Sequence, residues 1–131
     1  MKEYRLNSPV ELNVAADSGM MLVIRLATAG VVTRARLTID AMDNLKIATE
    51  EACSCLIGQA NPPQRLALTY TCRDDALFID IRGQEPGSAG GTMDEIELDV
   101  VRCILESLAD GVSFDMLDGR IRAIELRAAL V

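Results

Sequence analysis

Histidine and tryptophan are absent from this chain of 131 residues, and only two tyrosines and two phenylalanines are present. Without histidine no mixed Cys/His zinc site can form, and Cys53, Cys55, Cys72 and Cys103 fit no metal-ligand spacing. No metal site is expected, and the cysteines read as small buried hydrophobes in a reducing cytosol. So few aromatic rings argue against a platform for stacking nucleic-acid bases. Lysine and arginine form no cluster and the formal charge is −7, so a phosphate-backbone partner is not expected. A basic protein surface suits such a chain better. Long apolar runs are missing too. Met20 to Leu26 is interrupted by Arg25 and falls far short of the roughly 20 residues a membrane span needs. No apolar secretion-signal core follows Met1-Lys2-Glu3-Tyr4-Arg5, so a cytoplasmic protein with no membrane partner is expected.

What is present is ordinary for a folded chain: half the residues are apolar and a quarter are charged. The length suits one domain, residues 1–131, able to bury a core without staples. Val10-Glu11-Leu12-Asn13-Val14 alternates with the period of a half-buried strand. Asp17-Ser18-Gly19 offers N-cap chemistry ahead of a first helix from Met20 to about Arg36, in whose middle Gly30 costs roughly 1 kcal/mol against alanine unless something packs close to it. Thr38-Ile39-Asp40 caps a second helix, Ala41 to about Gln59, with Met42, Leu45, Ala48, Ala52 and Cys55 as its inward stripe. Asn61-Pro62-Pro63 stops it.

Two strands follow, one with Leu66, Leu68, Tyr70 and Cys72 on a face, the next with Leu77, Ile79 and Ile81, joined by a turn at Asp74-Asp75. Gly83 to Gly91 reads as a loop. A third helix runs from about Asp94 to Ala109, with Val100, Val101, Ile104, Leu105 and Leu108 inward. The chain closes in a hairpin: Val112, Phe114 and Met116 lead into Asp118-Gly119, a type I′ turn signal, and Ile121 to Leu126 returns. Hairpin strands with intervening helices predict an α+β fold, a two-layer sandwich of a mixed, mostly antiparallel sheet with three helices on one face.

The second helix carries a further pattern, Asp43-Asn44-Leu45-Lys46-Ile47-Ala48-Thr49-Glu50-Glu51-Ala52-Cys53-Ser54-Cys55. It resembles the anti-sigma factor and serine-protein-kinase family of partner-switching modules, a branch of the Bergerat-fold (GHKL, histidine-kinase-like) ATPases. That family's helix reads Asp-x-x-Lys-Ile-Ala-x-x-Glu-Ala-Cys-x-Asn. The resemblance extends from about Glu11 to Leu130 and includes Val23-x-Arg25-Leu26 and Glu106-Ser107-Leu108-Ala109-Asp110. It implies the Bergerat sandwich, the same layout the periodicity predicts.

It also implies roles for particular positions. Glu51 stands where the family has a glutamate that polarises the attacking water or hydroxyl as a general base. Read from the helix alone, Glu51 and Glu50 are solvated carboxylates. Cys55 occupies the place of a magnesium-binding asparagine, one helical turn on. A thiol is a soft ligand and magnesium wants oxygen donors, so Cys55 reads instead as a core thiol. Gly83 stands where an aspartate accepts the adenine amino proton, Glu85 where the first glycine of Asp-x-Gly-x-Gly should be, and Pro86-Gly87 survives.

Asp94, Glu95, Glu97 and Asp99 crowd the entry to the third helix, where the family uses glycines to hold a triphosphate. Carboxylates there suit the helix dipole but oppose phosphate: two like charges at about 4 Å repel by roughly 4 kcal/mol at an effective dielectric near 20. Cys55, Gly83, Gly87 and Asp99 are thus the nucleotide positions that the resemblance assigns, all but Gly87 altered, and no cofactor is expected; ATP and magnesium enter only if the family activity survives.

The leading expectation is a regulator of the anti-sigma-factor kind, binding a sigma factor, an anti-anti-sigma protein or both by protein surface, as a homodimer. The exposed part of the first helix, with Arg25, Arg34 and Arg36, is the candidate surface. The alternatives are an active ATP-dependent serine-protein kinase that phosphorylates an anti-anti-sigma factor, and a structural homo-oligomeric subunit.

Overall fold

A computed structural model of the chain describes residue 6, residues 8–86 and residues 95–131. Its elements run β1 (Val10–Ala15), α1 (Met21–Arg34), α2 (Ile39–Ile57), β2 (Pro63–Arg73), β3 (Ala76–Pro86), α3 (Glu95–Glu106), β4 (Gly111–Leu117) and β5 (Arg120–Ala129). The five strands form one sheet in the order β1-β2-β3-β5-β4, and all four pairings are antiparallel. The helices cover one face, with α2 central on β5, β3 and β2, α1 beside it toward β1, and α3 beside it toward β4. This is the two-layer α+β sandwich that the periodicity predicts.

Local chemistry sets the helix starts. The Asp17 carboxylate accepts from the Gly19 N–H at 3.0 Å and opens a 3-10 turn, Ser18–Met20, that feeds α1. Thr38 Oγ1 accepts from the Ala41 N–H at 3.1 Å, so α2 begins at Ile39, two residues earlier than predicted, with Asp40 in its first turn against the positive end of the dipole. Both hairpins close through consecutive residues of positive φ, Asp74 (51°) with Asp75 (60°) and Asp118 (52°) with Gly119 (77°). That is the twist which antiparallel strands favour in a two-residue turn.

The core lies between the layers. Leu66, Leu68, Tyr70, Leu77, Ile79, Ile81, Ile124 and Leu126 point from the sheet toward Ile24, Val32, Leu45, Ala48, Ala52, Cys53 and Leu56 on the helices, all essentially inaccessible. Within it the hydroxyls of Thr28 and Tyr70 meet at 2.8 Å and tie α1 to β2. The opposite face of the sheet is polar. There Asp115 joins Arg122 and Arg82, Arg82 also reaches Asp80, and Arg65 donates to Asn13.

Four expectations need correction, the first being that Cys103, read as buried, is exposed. The inward face of α3 is Leu98, Val101 and Leu105, with Leu108 packed against the core just beyond the helix, while Val100 and Ile104 are 53% and 40% exposed. Two stripes of three-and-four spacing interleave on this helix, and contact with α2 and β4 selects one of them. On α2 the fully buried thiol is Cys53, whereas Cys55 is half-buried at the edge of the core. Lastly, Gly83 to Pro86 is strand, not loop: β3 continues beside β2 with Gly83 opposite Leu66 and Pro86 opposite Pro63.

Candidate functional site

The second helix presents Glu51 and Cys55 one turn apart at the border between α2 and α3. Glu51 is exposed and forms no ion pair among the described residues. Its neighbour Glu50 is not a free carboxylate. Arg25 of α1 donates Nε–H to Glu50 Oε1 at 2.8 Å and approaches it through Nη2 at 2.6 Å, which clips α1 to α2. Arg25 is therefore already half engaged within the chain, while Arg34 and Arg36 are exposed.

Burial, with the negative charges of Glu51 and of Glu97 across on α3, pushes the Cys55 thiol up to about 11. At neutral pH it is a protonated thiol, neither a thiolate ligand nor an oxygen donor. Among the described residues no group of three or more histidine, cysteine, aspartate or glutamate side chains is placed to hold a metal ion. Asp99 is exposed on α3, as are Glu95 and Glu97. Gly87 and Asp94 lie outside the described residues.

Gly83 carries the sharpest geometric information. It lies where β3 still pairs with β2 but has parted from β5, whose last partner on β3 is Arg82, opposite Ala123. A Cβ built on Gly83 falls 2.9 Å from Pro63 Cβ and 3.0 Å from Pro63 Cγ. Those atoms belong to a rigid ring at the start of β2, so they cannot swing aside as a flexible chain would. An aspartate, or any other side chain, fits at position 83 only if Pro63 moves.

Beside it, Gln59 fills the parting of the strands. Ile121 donates its N–H to Gln59 Oε1 at 2.9 Å, and Gln59 Nε2 donates to the Ile121 carbonyl at 3.0 Å. The side-chain amide of Gln59 thus serves Ile121 as the peptide of a neighbouring strand would. What remains open here is a cavity of about 80 Å³, lined by Gln59, Asn61, Pro63, Gly83, Leu117, Arg120, Ile121 and Arg122. Pockets that enclose drug-sized ligands run to roughly 300–1,000 Å³, so this one is well short of a nucleotide.

At two of the positions singled out from the sequence the structure therefore holds a protonated thiol, Cys55, and no side chain, Gly83. Gln59 and Pro63 are the site residues that sequence reasoning missed. Their local signal was only that of a helix stop.

No family model matches the chain. It is 34% identical over 71 residues, 54% of its length, to the anti-sigma-F factor RsbW of Mycobacterium tuberculosis, of which that match covers 42%. It is 29% identical over 83 residues, 61% of its length, to the serine-protein kinase RsbW of Halalkalibacterium halodurans, of which 51% is covered. The match therefore spans about half the length of these relatives. Among solved structures, the RsbU and RsbW domains of a Mycobacterium tuberculosis protein superpose with a TM-score of 0.71 over 95% of this chain and 33% of that one, at 9% identity. That likeness establishes the fold.

Proposed function

We propose that this relative of the anti-sigma factor and serine-protein-kinase family is a cytoplasmic regulator of transcription that acts by protein–protein binding and does not turn over ATP. The observation that carries the reading is the contact of Gly83 with Pro63, which leaves no room for an adenine-reading carboxylate. The protonated Cys55 thiol supports it from the other end of the site.

The binding surface we assign is the outer side of α1. Leu22, Val23 and Leu26 are 58%, 41% and 64% exposed there, and Ile47 of α2 is 48% exposed beside them. Leu26, Ala29 and Ile47 line a groove of about 550 Å³ together with the oppositely charged pairs Arg25 with Glu50 and Lys46 with Asp43. Contiguous apolar surface of this kind marks protein-interaction sites. Gly30 points the same way. It is exposed in mid-helix, and a Cβ added to it meets nothing within 4 Å. Among the described residues nothing therefore uses the closeness a glycine permits, at a cost of roughly 1 kcal/mol against alanine. A partner backbone resting on α1 would use it. The partner is a sigma factor, an anti-anti-sigma protein or both, with the regulator acting as a homodimer.

Calorimetry at millimolar ATP and magnesium, alongside capture of a sigma factor from the native cytosol with wild-type and Leu26→Glu protein, tests the reading. No heat of nucleotide binding is expected, and capture is lost in the variant. A second reading, an active serine-protein kinase, is favoured by the exposed Glu51 and by the names of the relatives. Magnesium-dependent ATP binding in the same experiment, followed by transfer of phosphate to an anti-anti-sigma protein, would support it and sink the first.

A further inference from the structure

The cavity at the parting of β3 and β5 is too small for a nucleotide, yet its lining is chemically distinctive. The chain as a whole carries a formal charge of −7, but among the described residues two arginines and no carboxylate line this cavity. Arg122 is shared with Asp115, to which it donates from Nε at 3.1 Å and from Nη2 at 3.1 Å. Arg120 is half-buried, and among the described residues it has no acid partner. The Gln59 amide is spent on Ile121. The rest of the lining includes the apolar walls of Pro63, Leu117 and Ile121.

We infer that this cavity binds a carboxylate carried on a short apolar stem, the carboxylate meeting Arg120 and the stem lying against Pro63, Leu117 and Ile121. A guanidinium matches a carboxylate in shape and charge, and its bonds are strongest where water is partly excluded. Size sets the limit on the ligand. About 80 Å³ is small beside the roughly 300–1,000 Å³ of pockets that take drug-sized ligands, so the ligand is a small group such as a short-chain carboxylate. A short-chain acid and the side chain of an aspartate or glutamate on a partner protein share this chemistry. The inference does not depend on which partner α1 takes, since the cavity and that groove share no lining residue.

The test is a titration of the isotope-labelled full chain with sodium propionate, followed through the backbone amides of Gly83, Leu117 and Ile121. Sodium chloride at equal ionic strength and the neutral isostere propionamide serve as references. Saturable shifts with propionate are expected, at least tenfold weaker with propionamide and at least tenfold weaker in Arg120→Gln. Equal shifts from propionate and propionamide, or non-saturating shifts that chloride reproduces, overturn the inference without needing any variant to fold. A capped Ala-Asp-Ala peptide separates the sources: saturation at lower concentration than propionate assigns the carboxylate to a protein, and weaker binding assigns it to a free acid.

Discussion

The closure at Gly83 is a packing claim and can be measured as one. Alanine at position 83 places a Cβ 2.9 Å from Pro63 Cβ and 3.0 Å from Pro63 Cγ, where neither backbone nor ring gives easily. Overpacking of this kind costs about 1–3 kcal/mol. Replacing Pro63 by glycine removes both clashing atoms. In that background Gly83→Ala should stabilise by roughly 0.5–1 kcal/mol, the usual advantage of alanine over glycine inside a strand. The sign of one substitution therefore reverses with the residue at position 63, and a double-mutant cycle isolates a coupling of about 1.5–4 kcal/mol, from the middle of the usual range for residues in contact to somewhat beyond it. Urea unfolding of the four proteins supplies the measurement, and the cycle cancels whatever Pro63→Gly costs through the unfolded chain. Equal cost of Gly83→Ala in both backgrounds would refute the steric account and return position 83 to being an ordinary strand residue.

Gly30→Ala should raise stability by about 1 kcal/mol and the melting temperature by roughly 3–5 °C in a scanning calorimeter, because the added methyl meets nothing within 4 Å; an unchanged or lower value contradicts the geometry. Tyr70→Phe leaves the buried Thr28 hydroxyl without its 2.8 Å partner and should cost about 1–3 kcal/mol in urea, most of which the second change Thr28→Val restores. Burial pushes the Cys53 thiol from 9.0 up to about 12 and the Tyr70 hydroxyl from 10.0 up to about 12. The unfolded chain releases these protons first, so their contribution to stability is whole below about pH 9 and falls as pH rises toward 12. Unfolding curves across that window check it, and a flat profile counts against the burial of both groups. In thiol titration of the native chain at neutral pH, exposed Cys103 should react first and Cys53 only on unfolding.

Much of the fold was legible because local chemistry and global packing agree. The alternation of Leu66, Leu68 and Tyr70 against Leu77, Ile79 and Ile81 gives a register in which each of these side chains is buried, and slipping one strand by one residue would turn its whole set to the polar face. Asp17 and Thr38 act as caps, and Asp118-Gly119 makes its turn, because each of these devices works within three or four residues. The errors lie where sequence offers two equivalent answers. Val100 and Ile104 have the same spacing as Leu98, Val101 and Leu105, so only the neighbours of α3 decide which set turns inward. Glycine and proline at positions 83 and 86 are ordinary loop signals, yet both sit in a strand because Leu66 and Pro63 lie opposite them.

The site was less legible for a related reason: its parts are joined across long stretches of chain. Glu51 and Cys55 were recognisable from one helix, but what surrounds position 83 is not local. Gln59 reaches Ile121 across 62 residues, and Pro63 stands beneath Gly83 from the far end of a hairpin. These contacts are also interdependent. The absence of a side chain at Gly83 gives Pro63 its place, and where β5 has left β3, Gln59 supplies the hydrogen bonds that Ile121 lacks. Altering one of them therefore strains or unpairs another, so a single reversion toward the family pattern, Gly83→Asp, should destabilise the chain before it creates any affinity for a nucleotide. A change that is neutral in isolation can be locked in by its neighbours in this way, and such a lock is visible only when residues distant in sequence are seen side by side.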